Sequence, residues 1–586
     1  MTHSDSTRPP LSLCFRYLIA AFGALLIAAT EARAAEPDAA ARARALDLQE
    51  SEVLGESASR PGAAPAAAPT PPASPNSVQP ASAPPSPPVG SKAGEGGGQA
   101  AGRVRAVYLP DSERQRIRDE VREEVLQTAR RENWSQPNAI PEWVRGLQFS
   151  GDLMVRGEGD FYGSNNVSLI YNFQAINGGP PVNFQRQPPA PLFVPFVNVT
   201  EDRVMPRLRL RFGINARVSD ELLVGLRLAT GSAANPVSTN QTLGNGFNKF
   251  SFLVDRAYLR YTPGDDWNLT IGRGPNPFVT GVDLVWDRDL SFDGLNLQWL
   301  HEAGSRQWRA ATGAFSVENT DPNYPSNAII KLSSHDKWLW GTQLELTQQW
   351  QERYSLRGAL AYYNFVNVKG EVSQPCEFVA SDKVPCNSDD TRPAFVQKGN
   401  TMFALRDLIV ANPSDAQFQY FGLSSAFRVG VATLSFDAGV AGPVHAALDL
   451  EYARNFAFDA VRIGQTLPVN NLSVCTSVQP SDCNQRFDGG KDAYQAQLRI
   501  GHPVVRDPWR WQATLGYRCI ESDALLDAFT DSDFHVGGTN AKGFYVGGVL
   551  GFARNASLGL RYSSATEVSS APLAIEVLQL DVNVKF

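Results

Sequence analysis

The sequence of 586 residues predicts an all-β protein: a closed antiparallel transmembrane β-barrel of about 16 strands (range about 14 to 18), preceded by a disordered linker and a short periplasmic helix. Three observations carry the prediction. The N-terminus reads as a secretory leader, hydropathy takes a period of two from Leu147 onward, and short and long connections alternate between the periodic segments. The composition fits. Charged residues make up 19%, and mean hydropathy is -0.24. Such an average is expected where each strand alternates apolar and polar residues. The net charge of -7 is small for this length and implies no nucleic-acid partner.

The first element is a signal peptide over residues 1–34. Arg8 and Arg16 give it a positive start, Leu18 to Ala29 is apolar, and Ala32-Arg33-Ala34 is an A-x-A cleavage site. The apolar run is shorter than the roughly 20 residues a spanning helix needs, so the mature chain is expected to begin at Ala35. Residues 35–102 are rich in Ala, Pro, Ser and Gly and carry too few large apolar groups to order a chain, so they are read as a disordered linker. Residues 103–145 form a periplasmic helical segment. Ser112 and Gln115 suit a capping box, and Ile117, Val121 and Val125 fall four apart in a narrow apolar stripe. A solvated helix at the periplasmic mouth is preferred to a coiled coil joining subunits, which needs a longer seam.

The barrel proper is expected over 146–586. In PRLRLRFGINARVSDELLVGLRLATGS, Leu208, Leu210, Phe212, Ile214, Ala216 and Val218 share one face, and Arg207, Arg209, Arg211, Asn215 and Arg217 share the other. A turn at Ser219-Asp220 returns the chain through Leu222, Val224, Leu226 and Leu228, with Arg227 opposite, so this is a hairpin. The same grammar repeats to the end of the chain, and one of the longest segments is read over 418–440. Strict alternation of short and long connections demands an even strand count with both termini on the periplasmic side. The final strand alternates Leu578, Leu580, Val582, Val584 and Phe586 against Gln579, Asp581, Asn583 and Lys585. An aromatic C-terminus on such a strand suits Phe586 to serve as the signal for the barrel-assembly machinery.

A barrel in lipid turns its apolar face outward, so the opposite face must be inward. That face bears Arg207, Arg209, Arg211, Arg227, Arg256, Arg260, Arg357, Arg499, Arg510, Arg518 and Arg561 as candidate pore-lining residues. For most of them an ordinary pairing with a nearby carboxylate competes with a role in selectivity. The Arg207/Arg209/Arg211 ladder stands out, because three like charges on one short face repel unless water, counter-ions or acids oppose them. Asp283, Asp287, Asp289 and Asp293 in the third long connection are candidates for that opposing charge. The alternative is an ordinary outer loop.

Six cysteines accompany the export signal, and Cys14 leaves with it. Cys376 with Cys386, and Cys475 with Cys483, read most simply as two loop disulfides, although four cysteines allow other pairings. No C-x-x-C or neighbouring His supports a metal there, and no metal site is expected. Cys519 falls on the outward face and is read as an unpaired structural thiol.

The segments RVRAVYLPDSERQRIRDEVREEVLQTARRENWSQPNAIPEWVRGLQFSGDLMVRGEGDF, VDRAYLRYTPGDDWNLTIGRGPNPF, LVWDRDLSFDGLNLQW, DAFTDSDFHVGGTNAKGF and IEVLQLDVNVKF resemble the bacterial "putative porin" family of outer-membrane channels. The likeness spans about 103–586 and is most specific in TDSDFHVGGTNAKG. It implies a pore-forming barrel in the outer membrane with no particular solute. It also implies a third long loop folded into the lumen, so that acidic loop residues face a basic wall. The expected function is therefore passive diffusion of small hydrophilic solutes or ions, with a preference for anions and no cofactor. The expected partners are outer-membrane lipid and lipopolysaccharide, the barrel-assembly machinery, small polar solutes and a homotrimer of the chain.

An outer-membrane hydrolase is one alternative. His301, His335, His445, His502 and His535 are its possible bases, but none sits in a G-x-S-x-G context, and no catalytic residue is assigned. His535 among Asp527, Asp531 and Asp533 is read as a hydrogen-bonded loop cluster in preference to a calcium or proton-sensing site. An adhesin or envelope tether built on the linker and helix is the other alternative. A plugged, substrate-gated transporter would need about 22 strands.

Overall fold

Period-two sequence becomes strand along the whole of the barrel region. The computed structural model describes Glu123 and residues 146–586 apart from 180–181, 184–193, 322, 324–328, 330, 332, 352, 374–375, 378–388, 407, 410–417 and 474–485. The residues read as signal peptide, linker and, Glu123 apart, the 103–145 helical segment therefore lie outside the described residues, as do Cys386, Cys475 and Cys483.

Sixteen long strands form one closed antiparallel sheet. They are β1 Leu147–Tyr162, β2 Arg203–Arg217, β3 Leu222–Ala229, β4 Leu253–Tyr261, β5 Trp267–Gly274, β6 Phe292–Ala303, β7 Arg306–Glu318 and β8 Lys337–Trp350. The second half is β9 Tyr354–Val366, β10 Arg428–Ala441, β11 Val444–Asn455, β12 Asp492–Gly501, β13 Trp511–Ile520, β14 Ala541–Ala553, β15 Ala556–Thr566 and β16 Ala574–Lys585. Each strand pairs with its neighbours in sequence. Pairing of β1 with β16, from Asp152 opposite Lys585 to Tyr162 opposite Ile575, closes the circle. The C-terminal residue seals the seam: the Gly151 N–H donates to the Phe586 carbonyl (2.8 Å), and the Phe586 N–H donates to the Gly151 carbonyl (2.9 Å). Closure leaves no strand edge unpaired, the condition for a sheet to lie in hydrocarbon.

The two faces separate as the alternation requires. Along β8, Trp338, Trp340 and Leu344 are exposed, whereas Leu339, Gln343 and Glu345 are buried inside. The outer surface carries a band of exposed Leu, Ile and Val, including Leu259, Ile271, Leu360, Leu515, Leu560 and Leu580. Aromatic side chains flank it: Trp338, Trp340 and Tyr362 towards the long connections, Trp267, Trp350, Tyr354 and Trp511 towards the short ones. That is the arrangement of a hydrocarbon belt between two interfacial girdles.

Two expectations are corrected here. The segment expected as one strand over 418–440 begins its barrel strand at Arg428, because Phe421–Leu423 instead pairs with Met402–Ala404 in a small sheet of its own. Cys519 is neither unpaired nor exposed: it is disulfide-bonded and buried against Tyr494 and Tyr517. Cys376 lies in a two-residue strand opposite Leu408.

Candidate functional site: the barrel interior

Antiparallel pairing of β1 with β2 sets Arg207 opposite Arg156, Arg209 opposite Met154 and Arg211 opposite Asp152, so the arginine ladder stands beside acids of the neighbouring strand. Arg207 bonds Glu158 (2.7 Å), and Arg209 and Arg211 share the two oxygens of Asp152 (3.1 and 2.6 Å). In β4 a bulge leaves Asp255 without an opposite residue and turns both it and Arg256 inward. Asp255 thereby meets Arg227, which directly faces Arg256, and Arg256 donates to Ser291 (3.3 Å). Arg260 lies over the Tyr258 ring (5.4 Å).

On the remaining wall Arg357 donates to Ser435 (3.3 Å), and Arg499 pairs with Asp449 (2.9 Å). Arg561 stands over the Tyr545 ring at 4.9 Å. Arg510 departs from expectation: it sits in the turn before β13, where its carbonyl accepts from the Gly551 N–H, and is not on a strand wall.

The third long connection, 275–291, does not project outward. Its carboxylates reach two different walls. Asp289 bonds Arg211 of β2 (2.9 Å), and Asp283 bonds Arg518 of β13 (2.6 Å). Asp289 also accepts from the Thr239 hydroxyl (2.6 Å) and N–H (2.9 Å). On two further walls Val279 exchanges hydrogen bonds with Gln343 of β8, and the Gly281 N–H donates to Glu451 of β11. The connection thus crosses the interior. Asp293, in β6, pairs with Arg273 near the surface and takes no part in the crossing.

Three aspartates of this connection respond differently to the same enclosure. Burial alone would raise Asp283, but Arg518, Arg288 and Arg561 outweigh it and hold the carboxyl below the usual range. Burial likewise opposes Asp289, yet Arg211 and Arg209 bring it to about 2. Asp287 is raised instead. Burial, with Asp531 and Asp289 nearby, pushes it well above the carboxylate range.

The inward residues that sequence reasoning missed include Arg156 and Arg288, their acidic partners, and a cluster of aromatics. Phe278 and Trp286 of the connection each stand 5.0 Å from the Tyr363 ring, and Trp286 is 5.2 Å from Phe292. Phe315 packs on Phe292 at 5.0 Å. Strand parity does place Phe315 and Tyr363 inward. However, an inward aromatic reads as an exception until the loop that covers it is known. Gly341 makes the packing possible, since a Cβ there would lie 2.4 Å from the Phe278 ring.

The TDSDFHVGGTNAKG stretch is a hydrogen-bonded loop cluster. His535 is fully buried, and its Nε2 meets the Leu573 carbonyl at 2.8 Å. No group of three or more His, Cys, Asp or Glu that could hold a metal occurs among the described residues.

A family described as "Putative porin" matches residues 26–586. The chain belongs to that family. The family's description fits the closed barrel described above. No curated protein matches the chain in sequence. Among solved structures, the outer membrane channel DcaP of Acinetobacter baumannii aligns at 11% identity over 75% of this chain and 98% of that one, with a TM-score of 0.35. OprB of Pseudomonas putida aligns at 9% identity over 76% and 95%, with a TM-score of 0.39. OmpF of Salmonella typhi aligns at 9% over 75% and 97%, with a TM-score of 0.35. As a porin-family barrel, the chain is an outer-membrane protein.

Proposed function

We propose that this porin passes small hydrophilic solutes by diffusion through an arginine-lined interior, with preference for anions. The observation that carries the proposal is the 275–291 connection, which crosses the interior and ion-pairs to two different walls. Preference follows from which member of each pair meets solvent. The Arg288 side chain is 70% exposed against 12% for Asp283, and Arg207 is 24% against 5% for Glu158. In these pairs the carboxylate sits behind and the guanidinium faces forward, so a solute meets their positive ends. Charges in a low-dielectric passage act strongly on a permeating ion.

The test is the reversal potential in a salt gradient across a planar bilayer. The unaltered protein is expected to favour chloride. Replacing Arg207, Arg209 and Arg211 by Ala shifts the preference toward potassium, and an unchanged potential removes the ladder from the account.

The same reading has residues 1–34 directing export, Phe586 directing insertion by the assembly machinery, and the chain working as a homotrimer in lipid and lipopolysaccharide. Crosslinking in native membranes tests the trimer: a single monomeric species contradicts it. Cys376, Cys386, Cys475 and Cys483 are disulfide candidates in this proposal, and peptide mapping without reduction assigns their pairing and that of Cys519.

A further inference from the structure

The loop that joins β13 to β14 is rigidly built, and its middle enters the interior. Its outer part is held by other long connections. Gln397 donates to the carbonyls of Asp527 and Thr530 (both 2.8 Å), and the Thr539 N–H donates to the Lys398 carbonyl (2.7 Å). Gly538 adopts a φ of 86°, and a Cβ there would fall 1.8 Å from the Lys398 carbonyl. No other residue fits.

From these anchors Asp531 and Asp533 reach the arginine walls. Asp531 bonds Arg518 (2.9 Å) and stands 3.7 Å from Arg561, while Asp533 bonds Arg156 (2.8 Å). The two inward loops are also tied to each other. The Ser532 N–H donates to the Asp287 carboxylate (3.0 Å), and the Asp287 N–H donates to the Phe529 carbonyl (2.8 Å).

We propose that Asp531 and Asp533 are selectivity-determining residues: the 523–540 loop is a second constriction element that masks Arg156, Arg518 and Arg561 and leaves Arg288 open to the solute path. This deepens the proposed function and rests on it. Arg518 is almost fully buried between Asp283 and Asp531, so its charge is spent internally. Arg288 keeps only a 3.6 Å approach to Asp283 and stays open to water. The loop therefore trims the positive charge that the strands alone would present, and the passage keeps a modest anion preference where a bare arginine wall would bind anions and slow them.

The experiment measures chloride-to-potassium permeability ratios of the full-length protein in planar bilayers. Asp531→Asn/Asp533→Asn uncovers Arg561, takes one of two acids from Arg156, and is expected to at least double the ratio. Arg288→Gln is expected to lower it more than Arg561→Gln does, because only the latter guanidinium is masked. A ratio unchanged in the double variant overturns the proposal. So does an Arg561→Gln effect equal to or larger than that of Arg288→Gln, and this ordering decides the matter even where the double variant fails to fold. Absence of conductance in the unaltered protein overturns the proposed function itself, a result distinct from either of these.

Discussion

Arg207, Arg209 and Arg211 stand two residues apart on one strand, and three carboxylates relieve their repulsion. Two of these, Asp152 and Glu158, come from β1, and Asp289 comes from the crossing connection. Removing Glu158 takes the bonded acid from Arg207, and removing Asp152 takes it from Arg209, which is the costly half of breaking such a pair; Arg211 holds two acids and keeps one. Titration at the loop end follows a different rule. Burial pushes Asp527 up to about 7, with Asp523 adding repulsion, and pushes Asp523 up to about 6. Both ionise near 3.8 when unfolded. A carboxyl raised in the folded state gives stability that is complete below the unfolded value and is lost as pH climbs through the folded one. The 523–540 amides are therefore expected to exchange faster at about pH 8 than at about pH 4, once corrected for intrinsic rates. Equal protection at both would show that these acids do not hold the loop.

At the scale of elements, the crossing connection is fixed as much by aromatic packing as by ion pairs. Trp286 is buried against Tyr363, Phe292, Phe365 and Phe529, which joins the connection to β6, β9 and the β13–β14 loop at once. Trp286→Ala removes contacts worth about 3–5 kcal/mol in a packed core. The barrel strands do not depend on them. The expected outcome is an intact barrel with larger, noisier single-channel steps, and steps of unchanged size would show that the ion pairs alone hold the connection. Strands were legible because each repeats a two-residue pattern over 8 to 16 residues. The aspartates at 283 and 289 were legible as charge. Their aromatic anchors were not, since Phe278 and Trp286 lie in a segment with no period. The bulge at Asp255 was invisible for a similar reason: one inserted residue changes facing without changing composition. Cys519 was misjudged because parity gives the face of a residue and says nothing about what covers it.

At the scale of the whole molecule, the circle depends on one seam joining the first barrel strand to the last residues of the chain. Hydrogen bonds between Gly151 and Phe586 end that seam, and Arg156 grips Asp581 inside it through two bonds (2.7 and 3.0 Å). Deleting Phe586 removes the last pair of backbone bonds and the exposed C-terminal ring. It is expected to lower the amount of folded protein in the outer membrane several-fold, read as loss of the heat-modifiable band on a denaturing gel. A full-intensity band would separate Phe586 from assembly. The even strand count and the paired termini were readable in advance, because connection lengths alternate and a closed sheet tolerates no odd edge.

The central claim is that this interior conducts. Single-channel recording of the purified full-length protein in a planar bilayer tests it most directly. The account predicts stable ohmic steps with chloride favoured over potassium, and a folded barrel that stays electrically silent would contradict it.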